Sequence, residues 1–216
     1  MKEFAKWKLD GLTNLSLKGM EADPTDLQLF SKMNWPNLIE LKMEAITLFA
    51  GQQSYLTKAK MPQLKRLEIK SCYLGYLDTH HLVEFDLPNL EELVVTQNYL
   101  NTTNIKDLLS KTSSKLKILQ LSDNSLDLFE VLKVVPDSLV ELRLDGNMLK
   151  FDNDIELMRK FIALKKLDLH NNELLDESIA LILSYPYVLE ELNLGKMAVK
   201  EKALEALASI DFTELK

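Results

Sequence analysis

Few side chains in this sequence can do chemistry, and they are widely spaced. Cys72 is the one cysteine among 216 residues, and a thiol becomes a nucleophile where a neighbouring base or cation lowers its pKa. The three histidines are His80, His81 and His170. A helical metal pair needs i, i+4 spacing, whereas adjacent residues such as His80 and His81 diverge, so this pair reads as surface. His170 follows Asp168 by two positions, which places both on one face of a strand, where an imidazole could bind a partner or sense pH. Arg66 and Arg143 are cations able in principle to insert into a partner enzyme's site. Two sequons, Asn14-Leu15-Ser16 and Asn101-Thr102-Thr103, read as silent in the absence of a secretion signal. With no phosphate-cradling glycine loop, catalytic carboxylate pair or Cys/His cluster, the expectation is a protein that is not an enzyme and takes no metal or cofactor.

The elements that would position these residues follow from one spacing. L-x-x-L-x-L, with Met, Ile or Val at some last positions, begins at Leu12, Leu38, Leu64, Leu90, Leu116, Leu139, Leu164 and Leu189. A fixed period of this length marks a solenoid, in which each unit buries its apolar side only against its neighbours. The fourth and sixth positions of each unit are two apart, as a short strand requires when both side chains face the core. Three residues beyond the sixth position stand Asn98, Asn124, Asn147 and Asn172, with Met20, Ile46, Cys72 and Met197 at the equivalent places in the other units. That register puts Cys72 in the core, which makes it a structural thiol and not a nucleophile.

An inward-facing asparagine donates and accepts, so stacked copies can satisfy backbone groups left open where each strand bends away. Asn98-x-Leu100, Asn124-x-Leu126, Asn147-x-Leu149 and Asn172-x-Leu174 complete a segment that resembles the asparagine ladder of the leucine-rich repeat superfamily, over essentially the whole chain. The resemblance implies an α/β fold: a right-handed solenoid of about eight repeats, with a curved parallel sheet on the concave face and helices on the convex face. The repeat lengths are similar to the intracellular ribonuclease-inhibitor-like or cysteine-containing types. Residues 1–216 are expected to form a single domain, with 1–11 an N-terminal cap, 12–208 the repeats and 209–216 the C-terminal end. Phe4, Trp7 and Leu9 are expected to shield the first repeat, and Phe212 with Leu215 the last. Because the ladder is incomplete, the first two repeats are expected to be distorted or partly capping and the central and C-terminal ones the most regular.

Helical spacing of apolar residues predicts convex helices over 26–33, 78–86, 104–111, 127–135, 153–161, 176–184 and 200–208. Asp26, Asn104, Asp127, Asp154 and Asp176 stand where caps are wanted. The net charge of −7, with acids and bases interspersed, argues against nucleic acid, which needs a clustered basic surface. No apolar run approaches the roughly 20 residues of a membrane span. The single cysteine points to a reducing, cytoplasmic or otherwise intracellular setting, and a bacterial protein delivered into host cytosol would look the same.

Function then falls to the residues between the inward leucines. Three outward rows result, and near their middle Val94, Thr96, Ile118, Gln120 and Ser122 form an uncharged strip bordered by Arg66, Glu92, Arg143, Asp145, Asp168 and His170. These eleven are the expected partner-binding residues, since interfaces place uncharged contacts centrally and charges at the rim. The resemblance implies a monomeric, non-catalytic scaffold for an unidentified protein partner. Alternatives are a regulator of a partner enzyme, similar to leucine-rich GTPase activators or ubiquitin-ligase substrate adaptors, or a bacterial effector. Tyr73, Tyr76 and Tyr99 sit in the loops after the third and fourth strands and could form a second patch along one rim, but core or edge packing between repeats is expected ahead of partner contact.

Overall fold

The computed structural model describes residues 9–48, 53–74, 84–110, 112, 114–147, 149, 162–185 and 188–210. Phe4, Trp7, Phe212, Leu215, Tyr76, His80 and His81 lie outside them, as do the expected helix at 153–161 and most of that at 78–86. Eight strands follow the leucine spacing: β1 (Asn14–Lys18), β2 (Glu40–Glu44), β3 (Arg66–Lys70), β4 (Glu92–Thr96), β5 (Ile118–Gln120), β6 (Glu141–Arg143), β7 (Lys166–Asp168) and β8 (Glu191–Asn193). They form one parallel sheet in chain order. The register steps by one repeat each time, so Leu15, Leu41, Leu67, Leu93, Leu119, Leu142, Leu167 and Leu192 pair in a continuous row. A slip of one residue would turn every one of these leucines to the opposite face, which is why the apolar pattern fixes the register.

Behind the sheet, Leu38, Leu64, Leu90, Leu116, Leu139 and Leu164 are wholly buried. Burying one such side chain stabilises the fold by about 2 kcal/mol, so the repeated leucines supply most of the driving force. The helices are α1 (Pro24–Lys32), α2 (Gln53–Thr57), α3 (Thr102–Leu109), α4 (Leu128–Val134), α5 (Asp176–Leu183) and α6 (Glu201–Ala208). Five match expected segments to within two residues at each end. The short α2 has no sequence forecast, because no capping residue precedes it and only two of its residues, Leu56 and Thr57, are buried in the described part.

Capping differs from expectation in an instructive way. Asp127 caps α4 by accepting from Glu130 N at 3.0 Å, as expected. For α1 and α3 the caps are instead Asp23 and Asn101, and Asp26 and Asn104 are the reciprocating third residues of capping boxes. Both types suit either role, so sequence alone places the box but not its register. Asp176 does not cap its own helix. Its carboxylate accepts from Lys200 N (2.6 Å), Lys202 N (3.0 Å) and Ala203 N (3.3 Å), so it closes the start of α6 in the next repeat. Lys200, the residue at that helix's own cap position, contributes no side-chain bond.

One backbone feature recurs in all eight repeats. Gly19, Ala45, Ser71, Gln97, Asp123, Gly146, Asn171 and Lys196, each immediately before the ladder position, have φ between 52° and 68°. In every repeat but the last, this left-handed kink aims the N–H at the neighbouring repeat: Ala45 N reaches Lys70 O at 2.9 Å and Asp123 N reaches Asp145 O at 2.9 Å. Only two of the eight are glycine, so the others bear the conformational cost in exchange for that bond. At Gly146 glycine is required twice over, because a Cβ there would stand 2.2 Å from Asp123 Oδ1.

The ladder forms as expected. Asn147 is typical: its Oδ1 accepts from Asn124 N (3.1 Å), and its Nδ2 donates to Leu121 O and Leu144 O (both 2.9 Å). The incomplete ladder does not distort the strands of the first two repeats, but the first is only partly covered, with Leu12, Leu15 and Met20 partly buried. β1 and β2 pair over five residues, and Ile46 fills its ladder place wholly buried, exchanging hydrogen bonds for packing. The last repeat, expected to be regular, is also incompletely covered, with Leu189, Leu192, Leu194 and Met197 only partly buried.

Two outcomes follow. Asn147→Ala should lower stability by about 2–3 kcal/mol, because it strands a buried N–H and several carbonyls, while Cys72→Ala should cost about 1; urea denaturation distinguishes them. Asp176→Ala should lower the thermal midpoint. In Asp176 the largest single influence is desolvation, which raises the pKa, but the N–H groups of Lys200, Lys202 and Ala203 outweigh it and hold the carboxyl below its ordinary value. A depressed pKa stabilises above the unfolded value, so the wild-type advantage should fade as pH falls below about 4.

Candidate open-face interface

Residues between the buried leucines project from the uncovered face of the sheet in three rows. Asn14, Glu40, Arg66, Glu92, Ile118, Glu141, Lys166 and Glu191 pair across the strands as the first row. Ser16, Lys42, Glu68, Val94, Gln120, Arg143, Asp168 and Asn193 form the second by the same register. Neighbouring strands bring these side chains within reach of one another, as cross-strand pairs require.

The charged members are already engaged with each other. Arg66 contacts Glu92, lies 2.8 Å from Glu68, and has Nε 3.1 Å from Glu40. The last approach is out of line for a hydrogen bond, so its attraction is ionic. Glu40 also meets Lys42 at 2.9 Å and Asn14 at 2.7 Å. The Lys42 and Asn14 hydrogen bonds, ahead of burial, hold the Glu40 carboxyl below its ordinary pKa. On the other side of the strip, Glu141 Oε1 accepts from Arg143 Nε and Gln120 Nε2, both at 2.7 Å. Glu141 is buried, and its hydrogen bond keeps the guanidinium of Arg143 more firmly protonated than usual. Ser122 donates to Asp145 at 2.6 Å.

The structure therefore brings Val94, Thr96, Ile118, Gln120 and Ser122 together on adjacent strands, flanked by an Arg66 cluster and an Arg143 cluster. Val94 is only 5% exposed, although it lies outside the apolar core, because its open-face neighbours cover it. Ile118, Thr96, Gln120 and Ser122 are half-buried. Sequence spacing located this face but gave no sign that its charges are neutralised in place, since that depends on side-chain reach across strands.

A parallel sheet in strict chain order, an L-x-x-L-x-L register and an asparagine ladder together decide the architecture. The fold is a leucine-rich repeat solenoid. Its strand rows correspond to the concave face of that architecture. A comparable solved structure is internalin C2 from Listeria monocytogenes: a TM-score of 0.62 at 20% identity, covering 96% of this chain and 80% of that one. No protein-family model matches the sequence, and neither does any curated protein.

Within the solenoid, the side chains first considered for chemistry take structural places. Cys72 is wholly buried, and its Sγ donates to Lys70 O (3.2 Å) and Met43 O (3.6 Å), the carbonyl positions that the ladder asparagines serve elsewhere. Burial raises the thiol's pKa. His170 and Asp168 share a face, but Asp168 Oδ1 accepts from the backbone N of His170 at 3.0 Å and Oδ2 from Asn193 at 3.1 Å, so the carboxylate is taken up outside the imidazole. The His170 ring lies over Gly195, where a Cβ would stand 2.9 Å from its Cδ2. Of the sequon asparagines, Asn101 caps α3 and Asn14 bonds Glu40. Among the described residues no His/Cys/Asp/Glu group could hold a metal, and no helix is long and apolar enough to cross a membrane.

Tyr73 and Tyr99 are 46% and 49% exposed and lie against each other with ring centroids 5.7 Å apart, so they pack on one another at the edge and line the rim outside the core.

A thiol reagent should label Cys72 only as fast as the chain unfolds, with labelling accelerating in step with added urea. Labelling of the native protein at the rate of an exposed cysteine would contradict its ladder role.

Proposed function

We propose that this protein is a non-catalytic scaffold that binds a protein partner through the concave face, centred on Val94, Thr96, Ile118, Gln120 and Ser122. Arg66, Glu92, Arg143, Asp145, Asp168 and His170 form the rim. The observation that carries this reading is the in-plane pairing on either side of the strip: Glu40, Arg66, Glu68 and Glu92 in one cluster, and Gln120, Glu141 and Arg143 in the other. Those pairs fix long side chains before any partner arrives, so less conformational entropy is lost on binding. They also leave an uncharged centre that can be desolvated cheaply, with charges positioned to reject wrong partners. The step from solenoid to binding is an analogy of fold, since fold alone does not specify activity.

The same pairing counts against the regulator reading. Arg66 and Arg143 would each have to shed their carboxylates to enter a partner enzyme's site, and breaking a partly buried pair costs more than exposing a solvated one. We further take residues 1–216 as one monomeric repeat domain whose single buried cysteine suits a reducing compartment. A ubiquitin-ligase adaptor or a delivered bacterial effector would use the same face with a different partner.

Affinity capture followed by mass spectrometry tests the strip. Thr96→Glu with Ile118→Glu, both half-buried on the concave face, should remove the specific partners while leaving the circular dichroism spectrum unchanged. Retention of the same partners by the folded double variant would move the interface elsewhere.

A further inference from the structure

Beyond the concave strip, a second surface has features that strip lacks. The turns after β2 to β5 enclose an open groove of about 570 Å³, lined by Ser71, Tyr73, Gln97, Tyr99 and Asp123 among others. Three observations set it apart. The first is the tyrosine pair: two aromatic rings half exposed to solvent and stacked on consecutive repeats, where the concave rows carry no aromatic residue at all. Aromatic side chains concentrate binding energy because they bury a large area at small entropic cost.

The second is backbone strain. Ser71 and Tyr73 both adopt positive φ, 53° and 57°, so this turn has a second left-handed residue beyond the one every repeat shares. For a bulky residue the left-handed region is a genuine outlier, and such strain persists only where the surroundings enforce it. Here the neighbouring repeat does so: Tyr99 N bonds Leu74 O at 3.0 Å, Asn98 Oδ1 accepts from Cys72 N and Leu74 N at 3.1 Å, and Ser71 Oγ donates to Gln97 Oε1 at 2.8 Å. The Tyr73 ring is held outward on a fixed support.

The third is charge. Glu40, Glu68, Glu92, Glu141 and Glu191 on the concave face each have a cation within salt-bridge distance. Asp123, like Asp145 and Asp168 on the concave face, has none among the described residues, but unlike them it stands beside exposed aromatic rings and carries the only formal charge among the described residues of the groove lining. Its carboxylate is seated above Gly146, a position open only because that residue lacks a Cβ.

We propose that this rim groove is a docking site for an arginine side chain presented by an extended peptide segment of a partner protein. Tyrosine faces attract cations, and the planar guanidinium can lie flat on one ring while its fork meets a carboxylate, which an ammonium cannot match. Asp123 supplies that carboxylate, Tyr73 and Tyr99 supply the faces, and Gln97 with Ser71 forms a polar wall beside them. No cation among the described lining residues opposes the incoming charge. The site is separate from the concave strip and stands whether or not that strip binds.

Panning a displayed library of random heptapeptides on the full chain tests this. Arginine should be enriched in the selected peptides, and replacing it with citrulline, which keeps the shape and removes the charge, should weaken binding about tenfold. Tyr99→Ala and the isosteric Asp123→Asn should each weaken it by a similar factor. Ile118→Glu should leave it unchanged. Asp123→Asn preserves shape, so it keeps the test decisive if the tyrosine variant folds poorly. The proposal is overturned if no peptide is selected, if the selected peptides are proline-rich or lack arginine, or if binding survives both rim changes. Loss of binding with Ile118→Glu alone would assign the peptides to the concave strip and equally overturn it.

Discussion

Everything in this molecule depends on satisfying backbone polar groups where each short strand ends and the chain turns outward. A parallel sheet of three- to five-residue strands leaves N–H and C=O groups open at every turn, and orphaned buried groups cost enough to unfold a marginal protein. Two devices answer this. In every repeat but the last the left-handed residue before the ladder position directs its N–H to the next repeat, and in four repeats the asparagine after it binds the amides and carbonyls that remain, as Asn172 does for Asn147 N, Leu149 N, Leu144 O and Leu169 O. With those groups paired, the leucines of the six inner repeats can be buried without penalty.

Much of this was legible in the sequence because leucine periodicity and asparagine position both report register. The strands, the core face, the ladder and the burial of Cys72 all follow from counting residues. What counting could not reach are contacts between repeats. Asp176 reads as a cap for α5, yet its carboxylate serves α6, and nothing in the local sequence distinguishes the two. The eightfold left-handed turn leaves little trace in the sequence because only Gly19 and Gly146 mark it with the residue type that favours positive φ. Asparagine and aspartate at Asn171 and Asp123 tolerate the conformation, but Ala45, Gln97 and Lys196 give no signal.

The same distinction holds for the surface. Spacing identified the three concave rows, and their sum of charges suggested a mixed face. The structure adds that the mixture is ordered into local pairs, with Arg66 surrounded by Glu40, Glu68 and Glu92 and with Glu141 shared by Gln120 and Arg143. A face of this kind presents little long-range field for steering and much short-range pattern for recognition. The rim is different in character: its aromatic area is exposed, and the described residues of its groove carry one acid and no cation.

The direction of the ladder has a consequence for how the chain is made. Each asparagine reaches back to the repeat that precedes it, so the turn around Leu126 stays incomplete until Asn147 has been synthesised, and the turn around Leu149 until Asn172 has. On a ribosome the newest repeat is therefore always one step short of closure, and order advances along the nascent chain with a lag of about one repeat. The molecule is polar in time as well as in space: its first repeats can be finished while its last are still being translated, and the loosely buried final repeat is the one that no successor within the described residues completes.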